Sequence, residues 1–140
     1  MELIIYTDGA YSSLKNQGGI GVLMLENGKQ ILSYSNKYIR TTNNQMEIGA
    51  VIIALRLIKK EYDKIIFYTD SQYVVGCATL GWQRKKNKKL WQEFDNQFER
   101  VSKLCNNISF IHVRGHQKDN SENSKYNNMV DKLAQEASQL

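Results

Sequence analysis

The chain has 140 residues, of which 41% are hydrophobic and 24% are charged, and these proportions match ordinary globular domains rather than disordered chains. The sequence contains no run of about 18 apolar residues, so we expect no transmembrane helix. The net charge of +5 is compatible with a polyanionic partner, nucleic acid above all, although a basic balance alone is weak evidence.

The first third of the sequence predicts an antiparallel meander of three strands. Residues 3–7 form a short apolar, β-branched run that is typical of a buried strand, and residues 20–25 form a second one. Asn27 and Gly28 follow, and this dipeptide supplies the positive φ angles of a tight hairpin turn. Residues 30–38 then predict a third, more polar strand.

The rest of the sequence alternates between helical and extended patterns. Apolar residues over 46–58 recur at helical spacing, and residues 64–69 read as a strand with an apolar centre. Asp70 and Ser71 follow directly, and Ser71 is the predicted N-cap of a short helix through residue 75. The later elements are a helix over 90–101, a strand over 108–113 and a helix over 130–137. This order predicts an α/β fold in which a mixed sheet is flanked by helices.

Nothing in the sequence marks a domain boundary. It has no proline, no low-complexity linker and no internal repeat, so we expect residues 1–140 to form one domain. The N-terminal apolar run is too short for a secretory signal and lacks its basic flank. Cys77 and Cys105 show neither metal-ligand spacing nor a disulfide pattern. We expect both to be small buried apolar residues in a cytoplasmic protein without a membrane partner.

Four acidic residues occupy positions that suggest a site. Asp8 and Asp70 end the first and fourth predicted strands, Glu47 opens the first long helix, and Asp131 begins the last helix. If the two strands are neighbours, Asp8 and Asp70 lie side by side, and their charges repel strongly. A divalent cation removes that penalty, and Mg²⁺ prefers carboxylate, water and phosphate oxygens. Two such ions can activate a water and stabilise the leaving oxygen in phosphodiester cleavage.

Each of these acids also has a structural explanation. Asp8 precedes a glycine and could start a turn, and Glu47 could be a first-turn acid that the helix dipole favours. Asp70 could cap the following helix, and Asp131 could be a solvated surface residue. Taken singly, these explanations are at least as good as a functional one. The four positions together favour a site, but only modestly.

The segments around these acids carry a much more specific signal. In order along nearly the whole chain, they are residues 7–10 (TDGA), 41–47 (TTNNQME), 68–74 (YTDSQYV), 113–116 (VRGH) and 127–134 (NNMVDKLA). Together they resemble the type 1 ribonuclease H family. The resemblance implies a mixed five-stranded sheet, with an antiparallel meander of three strands plus two parallel strands, flanked by helices.

The resemblance also implies an activity and a set of roles. Family members hydrolyse the RNA strand of RNA–DNA hybrids as monomers with two Mg²⁺ ions, for which Mn²⁺ is a possible substitute, and they leave 5′-phosphate and 3′-hydroxyl ends. Asp8, Glu47, Asp70 and Asp131 match the metal-binding carboxylates. His116 matches a catalytic histidine in a mobile loop, which shuttles protons or helps the product leave. An imidazole suits that role because its pKa is near neutral.

Four further positions match family residues that touch the hybrid. Asn44 and Gln72 match residues that contact its minor groove and the 2′-hydroxyls, the groups that distinguish RNA from DNA. Thr42 matches a residue that binds a DNA phosphate, and Asn16 matches another hybrid contact within a poorly aligned segment. The structural explanation for Asn44, Gln72 and Thr42 is turn and cap chemistry.

Residues 84–89 (RKKNKK), here called the basic run, contain five basic residues in six. Such a run can bind phosphates without sequence preference, although it is more often a solvated surface. The resemblance favours hybrid binding by the four lysines, because many family members carry a basic protrusion here. Trp82 could contact nucleic acid or anchor the loop. Trp91 falls on a helical apolar stripe, so we predict that it is a core residue. The four lysines are Lys85, Lys86, Lys88 and Lys89.

The sequence departs from the family pattern in three segments. Residues 12–19 contain fewer glycines than usual and no proline, and residues 73–91 are too few for a full protrusion. The polar residues 117–126 predict a long mobile loop, which leaves the resting position of His116 open.

Three other functions stay open from the sequence. A related nuclease of the same superfamily would share acidic metal sites and would cut DNA. A non-catalytic hybrid-binding module would have no need of four intact acids. A basic structural protein would leave the acid pattern unexplained.

Overall fold

The computed structural model describes residues 1–115 and 119–140. Its strands and helices alternate as the sequence predicts, and most of them extend beyond the predicted bounds. In chain order they are β1 (Glu2–Ser12), β2 (Gln17–Glu26), β3 (Lys29–Ile39), α1 (Asn43–Leu57), β4 (Lys64–Thr69), α2 (Gln72–Thr79), α3 (Lys88–Ser102), β5 (Ile108–His112) and α4 (Glu122–Ser138).

The five strands form one mixed sheet in the order β3-β2-β1-β4-β5. β1, β2 and β3 pair in antiparallel fashion, while β4 pairs parallel to both β1 and β5. The predicted meander and the two added parallel strands are therefore confirmed. Asn27 and Gly28 connect β2 to β3 with φ angles of 49° and 84°, which confirms the predicted turn.

Helices cover both faces of the sheet. α1 packs on β1, β2 and α3, and the main apolar core lies on this face, with Ile5, Phe67 and Trp91 at its centre. α4 packs on the opposite face, across β1, β2 and β3, over a smaller cluster that includes Tyr6 and Leu23. No helix of the described residues is long and apolar enough to cross a membrane. The predicted burial of Cys77, Cys105 and Trp91 is confirmed.

Two predicted helix starts are wrong. α1 begins at Asn43, with Thr42 as its N-cap, so Glu47 lies in the second turn rather than opening the helix. α4 begins at Glu122, where the sequence predicted a polar loop, and Asp131 lies in its middle. The first half of α4 shows no apolar stripe because its buried residues, Ser124 and Asn127, are polar like the outer ones. The helical period is therefore not visible in the sequence. Ser121 caps the helix by accepting a hydrogen bond from the Ser124 amide at 3.2 Å.

Candidate active site

The register of the parallel pair places Asp8 beside Asp70. Tyr6 on β1 pairs with Tyr68 on β4, and each acid comes two residues later in the chain: Asp8 still on β1, and Asp70 directly after the last residue of β4. β1 runs on to Ser12 because it stays paired with β2, where Asp8 lies opposite Gly21. Asp8 thus lies two residues beyond the last β1–β4 pair and not at the end of the strand. The predicted neighbourhood of the two strands is confirmed.

Gly9 brings Glu47 to the same place. The Gly9 amide donates a hydrogen bond to Oε1 of Glu47 at 2.7 Å and to Oδ1 of Asp8 at 2.9 Å. A Cβ atom on Gly9 would lie 2.4 Å from the Glu47 nitrogen and 2.4 Å from the carbonyl carbon of Met46. Only glycine therefore allows α1 to approach β1 so closely. Sequence reasoning assigned Gly9 no role, although a glycine directly after a strand acid is a signal of close backbone approach.

α4 supplies Asp131 from the opposite face of the sheet. The helix lies very close to β2, since a Cβ atom on Gly21 would be 2.6 Å from the carbonyl oxygen of Val130. From this position the Asp131 side chain reaches Asp8 on β1. One carboxylate oxygen from each of Asp8, Asp70 and Asp131 lies within 4.8 Å of the oxygens of the other two. Asp8, Glu47, Asp70 and Asp131 are called the carboxylate cluster below.

The carboxylate cluster faces an open cleft of about 380 Å³. Among the described residues, its lining contains four acids and no lysine or arginine: Asp8, Gly9, Ala10, Tyr11, Asn43, Glu47, Asp70, Asp131, Gln135, Ser138 and Gln139. Asp8 is only 2% exposed. A nucleic acid backbone can approach such a cleft only if its negative charge is compensated.

Burial and mutual repulsion disfavour the ionised forms of these acids. Burial raises the pKa of the Asp8 carboxyl far above its ordinary value of 3.8, and the charges of Glu47 and Asp70 raise it further. Burial and the charge of Asp70 likewise raise the pKa of Glu47 above its ordinary value of 4.5. A divalent cation favours the ionised forms, and oxygen donors alone suit Mg²⁺ or Mn²⁺. The cluster therefore fits a hard divalent metal ion.

The predicted substrate contacts lie on segments that border the cleft. Thr42 caps α1, and its hydroxyl accepts a hydrogen bond from the Gln45 amide at 3.2 Å. Asn44 is exposed in the first turn of α1, and Gln72 is exposed at the start of α2. Asn16 lies in the β1–β2 turn with φ of 49°, and its Oδ1 accepts a hydrogen bond from the Tyr11 hydroxyl at 2.6 Å. The cap and turn roles of Thr42 and Asn16 are thus present, and they leave the functional assignment untested.

The two histidines differ in what the structure describes. His116 lies outside the described residues. Nε2 of His112 lies 3.2 Å from the backbone oxygen of Asp70, at hydrogen-bonding distance. The pairing of His112 with Thr69 across β4 and β5 brings the ring there. This link between His112 and Asp70 is not visible in the sequence, because it depends on the strand register.

The basic run is divided between internal and exposed residues. Arg84 donates to both carboxylate oxygens of Asp95, at 2.8 and 2.7 Å, and to the backbone oxygen of Cys77. Its guanidinium carbon also lies 4.7 Å from the ring centroid of Trp91. Arg84 therefore anchors the loop between α2 and α3. The side chains of Lys85, Lys86, Lys88 and Lys89 are all exposed.

Trp82 anchors its loop and is partly exposed. It is 48% exposed, yet its ring covers Gly76, where a Cβ atom would lie 2.1 Å from the indole. Its exposed part adjoins Gln72 and His112 in a shallow depression. The ring anchors the loop, and its outer face stays open to solvent.

Comparison with known proteins agrees with this architecture. The family model for RNase H matches residues 1–139. A Ribonuclease H of Desulforamulus reducens is 40% identical over 124 residues, covering 82% of this chain and 77% of that protein. A Ribonuclease H of Prosthecochloris aestuarii is 36% identical over 97% of this chain and 94% of its own length. The crystal structure of LC11-RNase H1 in complex with an RNA/DNA hybrid superposes with a TM-score of 0.72 at 26% identity, over 98% of this chain and 96% of that one. The chain belongs to the ribonuclease H family and is a hydrolase of that family.

Proposed function

We propose that this protein is an endoribonuclease that hydrolyses the RNA strand of RNA–DNA hybrids and leaves 5′-phosphate and 3′-hydroxyl ends. The observation that carries the proposal is the carboxylate cluster, in which Asp8, Asp70 and Asp131 bring one oxygen each within 4.8 Å of the others at the base of an open cleft. The family supports hybrid cleavage, and a similar structure contains a bound RNA/DNA hybrid.

We assign the metal site to Asp8, Glu47, Asp70 and Asp131. Their oxygen donors and raised pKa values fit two divalent ions, Mg²⁺ or, as a substitute, Mn²⁺. Such a pair of ions supplies a reactive water and stabilises the charge on the leaving oxygen in phosphodiester hydrolysis.

The chain itself contributes position and orientation. The Gly9 amide holds Asp8 and Glu47 in fixed orientations by bonding to both carboxylates. Asp8 lies on the central strand between Glu47 and Asp131, and its burial prevents water from screening the charges around it. A strand or a helix carries Asp8, Glu47 and Asp131, and Asp70 directly follows β4. Such an arrangement suits chemistry that depends on exact placement.

Substrate selection belongs to the surfaces beside the cleft. Asn44 and Gln72 would test for the 2′-hydroxyl from the minor groove, since both are exposed at helix starts, close in the chain to the cleft residues Asn43 and Asp70. Thr42 would hold a DNA phosphate, and Asn16 would add a contact from the β1–β2 turn. The exposed lysines of the basic run would bind the backbone electrostatically.

Several further assignments complete the proposal. His116, which lies outside the described residues, would act as the catalytic histidine that moves protons or assists product release. We propose that residues 1–140 form a single ribonuclease H domain. We further propose that the protein works as a monomer in the cytoplasm, without a membrane partner.

The proposal is tested by cleavage of matched duplexes. An RNA–DNA hybrid, an RNA–RNA duplex and a DNA–DNA duplex of one sequence are incubated with Mg²⁺, with and without a chelator, and the product ends are analysed. We expect cleavage only of the RNA in the hybrid, 5′-phosphate products and complete inhibition by the chelator. Cleavage of DNA would assign the protein to a neighbouring nuclease family. Hybrid binding without cleavage would identify a non-catalytic module.

A further inference from the structure

Asn127 in α4 is a buried polar residue whose side chain is unexplained by the fold. It is 1% exposed, and among the described residues neither its Nδ2 nor its Oδ1 atom has a hydrogen-bond partner. Buried polar atoms are nearly always bonded, so each exception calls for an explanation. The residue serves no capping role either, because Ser121 is the N-cap of α4 and Asn127 lies beyond the first turn.

The core would be served better by an apolar residue at this position. Val130 and Ala134, on the same buried side of α4, are both apolar and fully buried. Leucine has nearly the shape of asparagine and would extend this apolar stripe. Asparagine is also a poorer helix former than leucine in a helix interior. Packing and helix propensity therefore both argue against asparagine, and a site requirement is left to explain it.

The neighbours of Asn127 along α4 locate it behind the carboxylate cluster. Asn123 and Asp131 lie four residues before and after it, on the same side of the helix. Oδ1 of Asn123 accepts a hydrogen bond from the Tyr6 hydroxyl at 2.5 Å, and a carboxylate oxygen of Asp131 lies within 4.8 Å of one of Asp8. Tyr6 and Asp8 point to the same face of the sheet because they are two residues apart on β1. Asn127 therefore lies over β1 between these two contacts, one helical turn from Asp131.

We infer that Asn127 is a positioning residue of the carboxylate cluster, whose carboxamide bonds to the metal-loaded site and fixes its arrangement from behind. This inference rests on the proposed function. A carboxamide offers both donors and an acceptor, so it can bond to a carboxylate oxygen or to a water of a hydrated divalent ion. It also carries no charge, so it leaves the charge balance between the acids and the ions unchanged. Groups of this kind orient metal ligands in many metalloproteins.

The test compares Asn127→Leu with the wild type in two measurements. Mg²⁺ alone is titrated into the metal-free protein by calorimetry, and the melting temperature is measured in the presence of a chelator. We expect Asn127→Leu to melt at the same temperature or higher, because it removes two unpartnered buried atoms. We expect its Kd for Mg²⁺ to rise at least about tenfold, in line with the removal of an outer-sphere partner. Hybrid cleavage should show a lower kcat at an unchanged KM.

Asn123→Leu is the matched control one turn earlier on α4. This change leaves the Tyr6 hydroxyl without its acceptor, so it should lower the melting temperature and leave the Kd for Mg²⁺ unchanged. A wild-type Kd for Mg²⁺ in Asn127→Leu would overturn the inference. If that variant fails to fold, Asn127→Ala provides the same comparison. The titration needs no substrate, so its result is independent of the cleavage assay. A wild-type protein that binds Mg²⁺ without cutting hybrids would overturn the proposed function, and the Kd for Mg²⁺ would still test the role of Asn127.

Discussion

The carboxylate cluster and the basic run differ in how firmly the fold holds their side chains. Asp8 and Glu47 are buried on β1 and α1, and the Gly9 amide bonds to both. The four lysines of the basic run are exposed in the loop before α3 and in its first turn. Among the cations of that run, Arg84 is held through Asp95, Cys77 and Trp91, and its charge is used within the protein.

This difference matches the two kinds of work that we propose. Bond cleavage depends on the positions of a few groups to within a fraction of an ångström. Three of its acids accordingly lie on strands or helices, and the fourth, Asp70, directly follows β4. Phosphate attraction acts over a Debye length of about 10 Å, so flexible lysine side chains are sufficient. Substitutions in the cluster should therefore affect kcat, whereas substitutions in the basic run should affect KM.

The largest effect is expected from Asp8→Asn. The change keeps the shape of the side chain and removes the charge nearest the other three acids. We expect kcat on an RNA–DNA hybrid to fall by about 10³-fold or more, which corresponds to the loss of several kcal/mol of metal-dependent stabilisation. Circular dichroism should show an intact fold. Near-normal cleavage by the folded variant would contradict the metal assignment.

A smaller effect, confined to binding, is expected when Lys85, Lys86, Lys88 and Lys89 are all changed to Ala. KM for the hybrid should rise by about tenfold. The slope of log KM against log salt concentration should decrease by about 0.7–0.9 for each phosphate that the variant no longer binds. kcat should stay near the wild-type value, because these lysines lie outside the cluster. Steady-state kinetics between low and moderate salt measure both quantities.

The control for this prediction changes four exposed lysines far from the cleft. Both quadruple variants lower the net charge by four, from +5 to +1, so a general charge effect would appear equally in each. An unchanged salt slope in the basic-run variant would show that the run is only solvated surface. The control lysines are Lys29, Lys59, Lys64 and Lys103.

The smallest effect concerns stability without metal. Because the pKa values of Asp8 and Glu47 are raised in the folded state, the unfolded chain releases these protons first as pH rises above about 4. The metal-free protein should therefore lose stability from about pH 4 towards neutral pH. Asp8→Asn should weaken this loss and melt at least about 3 °C higher at pH 7 for each kcal/mol of repulsion removed.

Calorimetric melting with a chelator, and then with saturating Mg²⁺, separates this effect from general stabilisation. The advantage of Asp8→Asn should disappear or reverse when Mg²⁺ is present, because the metal favours the ionised carboxylates of the wild type. If Asp8→Asn melts higher than the wild type by the same amount in both conditions, Asp8 is destabilising for reasons unrelated to metal binding.

Sequence patterns predicted the strands better than the helix starts. The bounds of β4 agree with the prediction at both ends, because its apolar centre is followed directly by an N-cap residue, Ser71. The first half of α4 was missed because its outward side chains are polar, and its buried Ser124 and Asn127 do not look like core residues. Arg84 was grouped with its neighbours because the partner that binds it, Asp95, belongs to the next helix.

The sequence by itself determined the elements, their approximate order and the four acids of the cluster. These features are local, since strand and helix periods, turn dipeptides and short family segments are written in consecutive residues. Only the tertiary structure decided that Gly9 brings α1 onto β1 and that Asp131 reaches Asp8 from the middle of α4. It also showed that Asn127 is buried without a hydrogen-bond partner among the residues the structure describes. These features arise from contacts between distant parts of the chain, and they depend on strand register and helix packing that residue patterns do not encode.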